Sequence, residues 1–408
     1  MTGRVRSHSS AYLTETMFSK FRNIIQSFSR QRNGSSNSHF PRSENPIDAF
    51  SLPDRIEMRD AFPEPVQYPI LPDHLALEVS YACNLHCMMC PRTFEGVPQE
   101  VLPPELFEKV KPWISRFKYI HLAGYGEPLM SPHFLDYVHA VRQAGSRPVV
   151  TTNGLLLKGK MARRLLEERI DCISVSIDAG TPETYEAVRG KGTFLKLLDT
   201  LRAFRILKEE ASSDVFMVWV FILMKSNYRE LPQAVEYAAE LGFNRIVAKH
   251  LECTLTAEGF SEALFDTGYV PPPDPEIIQD LERVKEKSRG IAEGRIDIEI
   301  HPYQMGSQGA CLVRPITNLF VDYRGNLSSC CYLNVLNTRP YLEPAPEDPG
   351  ILGNLYQNTL DELIRTKRYS DFQRDWIEGR VPEVCKGCVQ LRRMGEQNLF
   401  PLKATAST

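Results

Sequence analysis

From residue 74 onward, short apolar runs of strand length alternate with longer runs of helical period, and this alternation constrains the fold more than any other feature of the chain. The strand-like runs are HLALEVS (74–80), YIHLAG (119–124), RPVVTTNG (147–154), CISVSID (172–178), VFMVWVFILM (215–224) and RIVAKHL (245–251). Helices are predicted from Pro132 to Ala144 and near 158–169, 194–208 and 229–241. The first has Ser131 as its N-cap, Pro132 at its first position and Gly145 just past its end. Six strands joined by helices imply an α/β fold built on a parallel sheet with helical crossovers. Such a sheet carries its chemistry at the carboxyl ends of the strands.

The polar motifs of the chain fall on that rim. CNLHCMMC (83–90) follows the first strand, GYGEP (124–128) the second, TTNG (151–154) closes the third and SID (176–178) the fourth. Cys83, Cys87 and Cys90 supply three thiols in one loop, with no fourth nearby. Thiolates select zinc or iron–sulfur centres, and a closed zinc site wants four protein ligands, usually in two separated pairs. A disulfide framework does not suit a large chain without a secretory signal, and a triplet leaves one thiol over. A three-ligand [4Fe-4S] cluster with one open corner is therefore favoured over zinc.

With these motifs in hand, residues 74 to 260 resemble the radical S-adenosylmethionine (radical SAM) superfamily, whose signature is C-x3-C-x2-C after the first strand of a partial (β/α)6 barrel. The resemblance implies that S-adenosylmethionine chelates the open iron. It also implies that one-electron cleavage of its sulfonium yields methionine and a 5′-deoxyadenosyl radical that abstracts hydrogen from substrate. Carried over residue by residue, it implies that Tyr125, Gly126, Glu127 and Pro128 form the segment receiving the methionyl ammonium, with Tyr125 standing where the family often has glycine. Met89 would lie beside the adenine, a core methionine being the alternative. Asn153, Ser176 and Asp178 would lie near the ribose, and Arg189 would pair with the methionyl carboxylate unless it is an ordinary surface arginine.

A second thiol set lies beyond residue 300. TNLFVDYRGNLSSC (317–330) reads as a hairpin turning at Arg324 and Gly325, TLDELIRTKRYSDFQRDWIEG (359–379) as a helix, and Cys385 and Cys388 form a distant C-x2-C. On spacing alone a zinc ribbon and an iron–sulfur site fit equally. Beside the barrel, the arrangement resembles the SPASM/twitch extension. That resemblance implies one auxiliary [4Fe-4S] cluster on Cys311, Cys330, Cys385 and Cys388, with Cys331 a neighbour and not a ligand.

The rest of the chain narrows the function. Its 408 residues suggest an N-terminal extension (1–70), the barrel (71–300) and a smaller C-terminal iron–sulfur domain of hairpin plus helix (301–408). Residues 29–45 read as a polar linker, preceded by Leu13, Met17, Phe21, Ile24 and Phe28 at helical spacing. A formal charge of -3 offers no bulk attraction for nucleic acid, and no apolar run is long enough to span a membrane, so a cytoplasmic location is expected. The expected activity is that of a radical SAM oxidoreductase acting on an unactivated carbon of a small polar metabolite such as a sugar, cyclitol or nucleoside, served by an electron donor such as flavodoxin or ferredoxin. The alternatives are a peptide maturase, a radical epimerase in which Cys253 after the sixth strand donates hydrogen, and an iron–sulfur electron carrier without catalysis. A carrier would want a closed site, which the open corner and GYGEP argue against.

Overall fold

The structure, a computed structural model, describes residues 66–92, 96–190, 193–251, 257–264, 274–301, 311, 315–335 and 350–385. The expected N-terminal helix, the linker, Cys253 and Cys388 lie outside the described residues.

All six expected strands are present: β1 (His74–Leu77), β2 (Tyr119–Leu122), β3 (Arg147–Thr152), β4 (Cys172–Ser176), β5 (Phe216–Leu223) and β6 (Arg245–His250). They pair in parallel in chain order. Helices α1 (Pro104–Val110), α2 (Phe134–Gln143), α3 (Gly159–Glu167), α4 (Pro182–Val188), α5 (Phe194–Glu210) and α6 (Leu231–Glu240) make the crossovers. The two faces of the strands bury different partners, as the period of two requires. Ile120, Val150, Ile173, Trp219 and Ile246 pack into the main core with Leu165, Leu201 and Val235 of the helices. Tyr119, Val149, Cys172, Val218 and Val247, one from each of five successive strands, form a separate apolar layer on the other face.

Three departures from the expected elements have local causes. Helix α2 starts at Phe134 and is preceded by His133, not Ser131, because residues Pro128–Met130 form a short 3-10 turn whose N-cap is Glu127. Ser131 Oγ makes no capping bond. After α7 (Ala257–Ser261) and α8 (Pro275–Ala292), a seventh strand β7 (Asp297–Ile300) pairs in parallel with β6. Its four residues are partly exposed and only half apolar, too weak a pattern to read from sequence.

The C-terminal hairpin, β8 (Asn318–Val321) and β9 (Asn326–Ser328), turns at Gly325 with φ +85°, a left-handed conformation that favours glycine. Strand β8 pairs in parallel with β1, and after α9 (Cys331–Val335) strand β10 (Ile351–Asn354) adds to β9. One ten-stranded sheet thus runs from β10 through β9, β8 and β1 to β7. The single expected helix over 359–379 is two, α10 (Leu360–Ile364) and α11 (Lys367–Ile377). Thr359 caps the first through a capping box with Glu362, and the Thr366 hydroxyl accepts from Tyr369 N–H to start the second.

Candidate active site

A cavity of about 270 Å³ opens at the carboxyl ends of the strands. It is lined by Cys83, Cys87, Cys90 and Met89 of the first loop, Tyr125 to Glu127 of the second, Asn153 and Ser176 of the third and fourth, and Arg189. Lys249 and His250 complete it from β6, and Cys331 and Tyr332 from α9. Of the candidates expected from sequence, all the described barrel residues except Pro128 and Asp178 reach this wall.

The GYGEP segment packs directly on the exit of β1. A Cβ on Gly126 would come 2.3 Å from Ser80 O and 2.6 Å from Ala82 O, so only glycine fits between those carbonyls. Glu127 N–H donates to Ala82 O (2.7 Å). The buried Glu127 carboxylate accepts from Thr152 Oγ1 (2.6 Å), Asn153 N–H (2.7 Å) and Leu129 N–H (3.1 Å). Burial raises its pKa, and the donors from Asn153, Thr152 and Leu129 pull the other way. Asn153 also donates from Nδ2 to Asn84 Oδ1 (2.7 Å), which ties the third strand to the cysteine loop. Tyr125 N–H donates to Glu78 Oε1 (2.7 Å), and its hydroxyl donates to Cys331 O (3.1 Å). The tyrosine in the family's glycine position is thus a post between the second loop and α9.

Arg189 is buried, not an ordinary surface arginine. It pairs with the fully buried Asp178 (Nη2 to Oδ2, 2.5 Å), and its Nη1 lies 3.8 Å from Cys87 Sγ. Burial opposes the arginine's charge, but Asp178, Cys87 and Tyr185 together outweigh it and raise the pKa. Asp178 spends its other oxygen on Ile222 N–H (2.7 Å). Both its oxygens therefore serve the protein, and it stands behind Arg189. Met89 packs with Val188, Met224 and Leu251 in a small apolar cluster beside the thiols, with one edge on the cavity.

Burial pushes the Cys87 thiol up to about 12, against the pull of Arg189, and raises Cys83 and Cys90 as well. Bare thiolates are thus costly here and need a cationic centre to bind, the chemistry of a metal-ligating set. Among the described residues no group of three or more His, Cys, Asp or Glu is drawn together around a single ion. The donor set suits a cluster.

Four cavity and support residues were not anticipated. His121 donates or accepts at Thr151 Oγ1 (2.9 Å) inside the barrel, and burial, with His74 and Lys249 nearby, pushes it down to about 3, so it is neutral. Glu78 is pushed up to about 8 by burial, opposed by the Tyr125 N–H. Arg92 and Tyr332 line the cavity. Nothing in local periodicity marks them, although Arg92 follows the last thiol by two residues.

The profile of the radical SAM superfamily matches residues 77–238, and that of an iron–sulfur cluster-binding domain, SPASM, matches 311–389. The chain belongs to the radical SAM superfamily. Among curated relatives, this radical SAM enzyme is 24% identical over 308 residues to the tungsten-containing aldehyde ferredoxin oxidoreductase cofactor-modifying protein of Pyrococcus furiosus, covering 74% of this chain and 83% of that one. In fold it is similar to native anSMEcpe with bound AdoMet (TM-score 0.55, 16% identity, 81% and 93% of the two chains). It is likewise similar to Streptococcus suis SuiB bound to precursor peptide SuiA (TM-score 0.55, 13% identity, 92% and 83%). The radical SAM enzyme's cofactors are S-adenosylmethionine, a [4Fe-4S] cluster and an auxiliary iron–sulfur cluster. Cys311, Cys330 and Cys385 of the second set are buried within the main core. Among the described residues no helix is long and apolar enough to cross a membrane.

Proposed function

We propose that this enzyme oxidises an unactivated carbon of a small polar metabolite, a sugar, cyclitol or nucleoside-like compound, in the cavity at the strand ends. Cys83, Cys87 and Cys90 would hold the cluster that takes S-adenosylmethionine, and Cys311, Cys330, Cys385 and Cys388 the auxiliary one. These groups supply, when bound, a carbon radical that abstracts hydrogen and a one-electron acceptor. The chain's own residues do the rest. Glu127 and the Gly126 backbone would receive the methionyl ammonium, Arg189, held by Asp178, the methionyl carboxylate, and Ser176 and Asn153 the ribose. Met89 and its apolar neighbours shield the thiols from water.

One observation carries the oxidative reading: Cys331 and Tyr332, directly after Cys330, line the same cavity as the three thiols of the first loop. A substrate there lies against the peptide that bears an auxiliary ligand. The substrate would give up a hydrogen atom, then an electron and a proton, a net two-electron oxidation. Thr151, Lys249, His250 and Tyr332 offer it hydrogen-bonding groups on the remaining wall. A donor such as flavodoxin or ferredoxin would reduce the first cluster. The test is anaerobic incubation of reconstituted enzyme with S-adenosylmethionine, dithionite and a panel of sugars, cyclitols and nucleosides, followed by mass analysis. The expected product is two mass units lighter than its substrate, with 5′-deoxyadenosine formed alongside. A redox-neutral product, or turnover of peptides alone, overturns the reading.

A further inference from the structure

Arg92 is only 3% exposed, yet its Nε and Nη2 have no hydrogen-bond partner among the described residues. The guanidinium lies 5.0 Å over the ring of Tyr81, which stacks at 4.9 Å on Tyr323 of the C-terminal turn. Its face is thus occupied while its edge donors are unmet, and the residue lines the cavity. The acidic residue that shares this region, Glu78, turns its oxygens to Tyr125 N–H (2.7 Å) and Tyr323 N–H (3.5 Å). The cysteine loop takes no hydrogen bond from the guanidinium, since the one from Arg92 to Cys90 comes from the Arg92 backbone, although the guanidinium's charge is felt at Cys90, Cys83 and Glu78. By contrast Arg189, the other arginine on the wall, has its counter-charge in Asp178.

A buried guanidinium with unmet donors is retained where an anion arrives to meet it. An arginine stacked on an aromatic ring presents its planar fork edge-on, the geometry that takes a carboxylate or phosphate through two parallel bonds. Lys249, from the end of β6, adds a second positive charge to the same cavity.

We propose that Arg92 receives an oxyanionic group of the substrate, a carboxylate or a phosphate, and so orients the carbon that reacts. This rests on the reading of a small polar substrate in this cavity and narrows it to anionic members. Arg92 would touch the substrate at a distance from the reacting carbon, as a specificity-determining residue.

The test is calorimetric titration of the reconstituted full-length holoenzyme, loaded with S-adenosylmethionine, with inorganic phosphate and, separately, with acetate. Wild type is expected to bind one of them saturably, and which one it binds distinguishes phosphate from carboxylate. Arg92→Met should weaken that binding tenfold or more, and Arg92→Lys, which keeps the charge and loses the fork, at least threefold. Iron content and S-adenosylmethionine affinity should match wild type in both. Absence of anion binding in wild type, equal binding in wild type and Arg92→Met, or displacement of the anion by S-adenosylmethionine each overturns the proposal. If Arg92→Met does not retain iron, Arg92→Lys decides, and an unchanged affinity there overturns it. Because the titration involves no turnover, it stands or falls separately from the oxidation.

Discussion

The buried carboxyl of Glu78 sets a pH dependence that single-residue substitution can isolate. Burial raises its folded pKa to about 8 from an ordinary carboxyl value of 4.5, so the folded state holds a proton that the unfolded chain has released between those values. Its contribution to stability is complete below 4.5 and is lost as pH rises toward 8, by about 1.4 kcal/mol per unit at most. Urea unfolding of wild type at pH 6 and pH 9 should show the protein weaker at the higher pH, and Glu78→Gln should flatten that difference. An unaltered pH slope in the variant counts against this assignment. Asp178→Ala tests the buried ion pair with Arg189. It leaves Arg189 buried without a counter-ion, and unfolding should become easier by about 3–5 kcal/mol. A surface-sized loss, below about 1 kcal/mol, would mean that the pair is solvated. Arg189 was legible as a candidate but not as a buried one, because its burial comes from Asp178 eleven residues away on another element, which no local pattern reports. The cysteines and GYGEP were legible because their spacing is local and chemically specific.

At the scale of elements, the β/α alternation was readable because strands β2 to β6 carry apolar residues on both faces and each helix between them on one. Strand β7 and the attachment of β8 to β1 were not, since pairing between distant segments leaves no mark on local periodicity. Helix α11 shows how the C-terminal part is fastened. Gln373 is fully buried; its Oε1 accepts from Ile70 N–H (3.0 Å), and its Nε2 donates to Ile70 O (2.9 Å) and Ile316 O (3.1 Å). One side chain thus joins the helix to the segments that enter β1 and β8. Gln373→Leu removes all three bonds, with Ile316 O keeping the Tyr369 hydroxyl (3.3 Å), at a cost of about 3 kcal/mol. Chemical denaturation measures it, and a change within about 0.5 kcal/mol, as for an ordinary surface position, would show the staple to be dispensable.

For the whole molecule the decisive quantity is iron. Anaerobically reconstituted enzyme should hold about eight irons, two cubes by the ligand count. Replacing Cys83, Cys87 and Cys90 with alanine should leave about four and abolish 5′-deoxyadenosine formation. Zinc at the distal cysteines, found by elemental analysis, removes the auxiliary cluster from the proposal. The continuous sheet adds a constraint in time. Strand β1, which leads into the first thiol loop, has β8 as one of its two neighbours, and their paired residues lie roughly 240 positions apart in the chain. At ribosomal speeds of about 5–20 residues per second, β1 waits roughly 12–50 s with that edge open before its partner is made. The loop proposed to carry oxygen-sensitive iron is therefore synthesised early and walled in late, an interval in which iron-delivering machinery can reach thiols that the finished protein leaves only partly exposed.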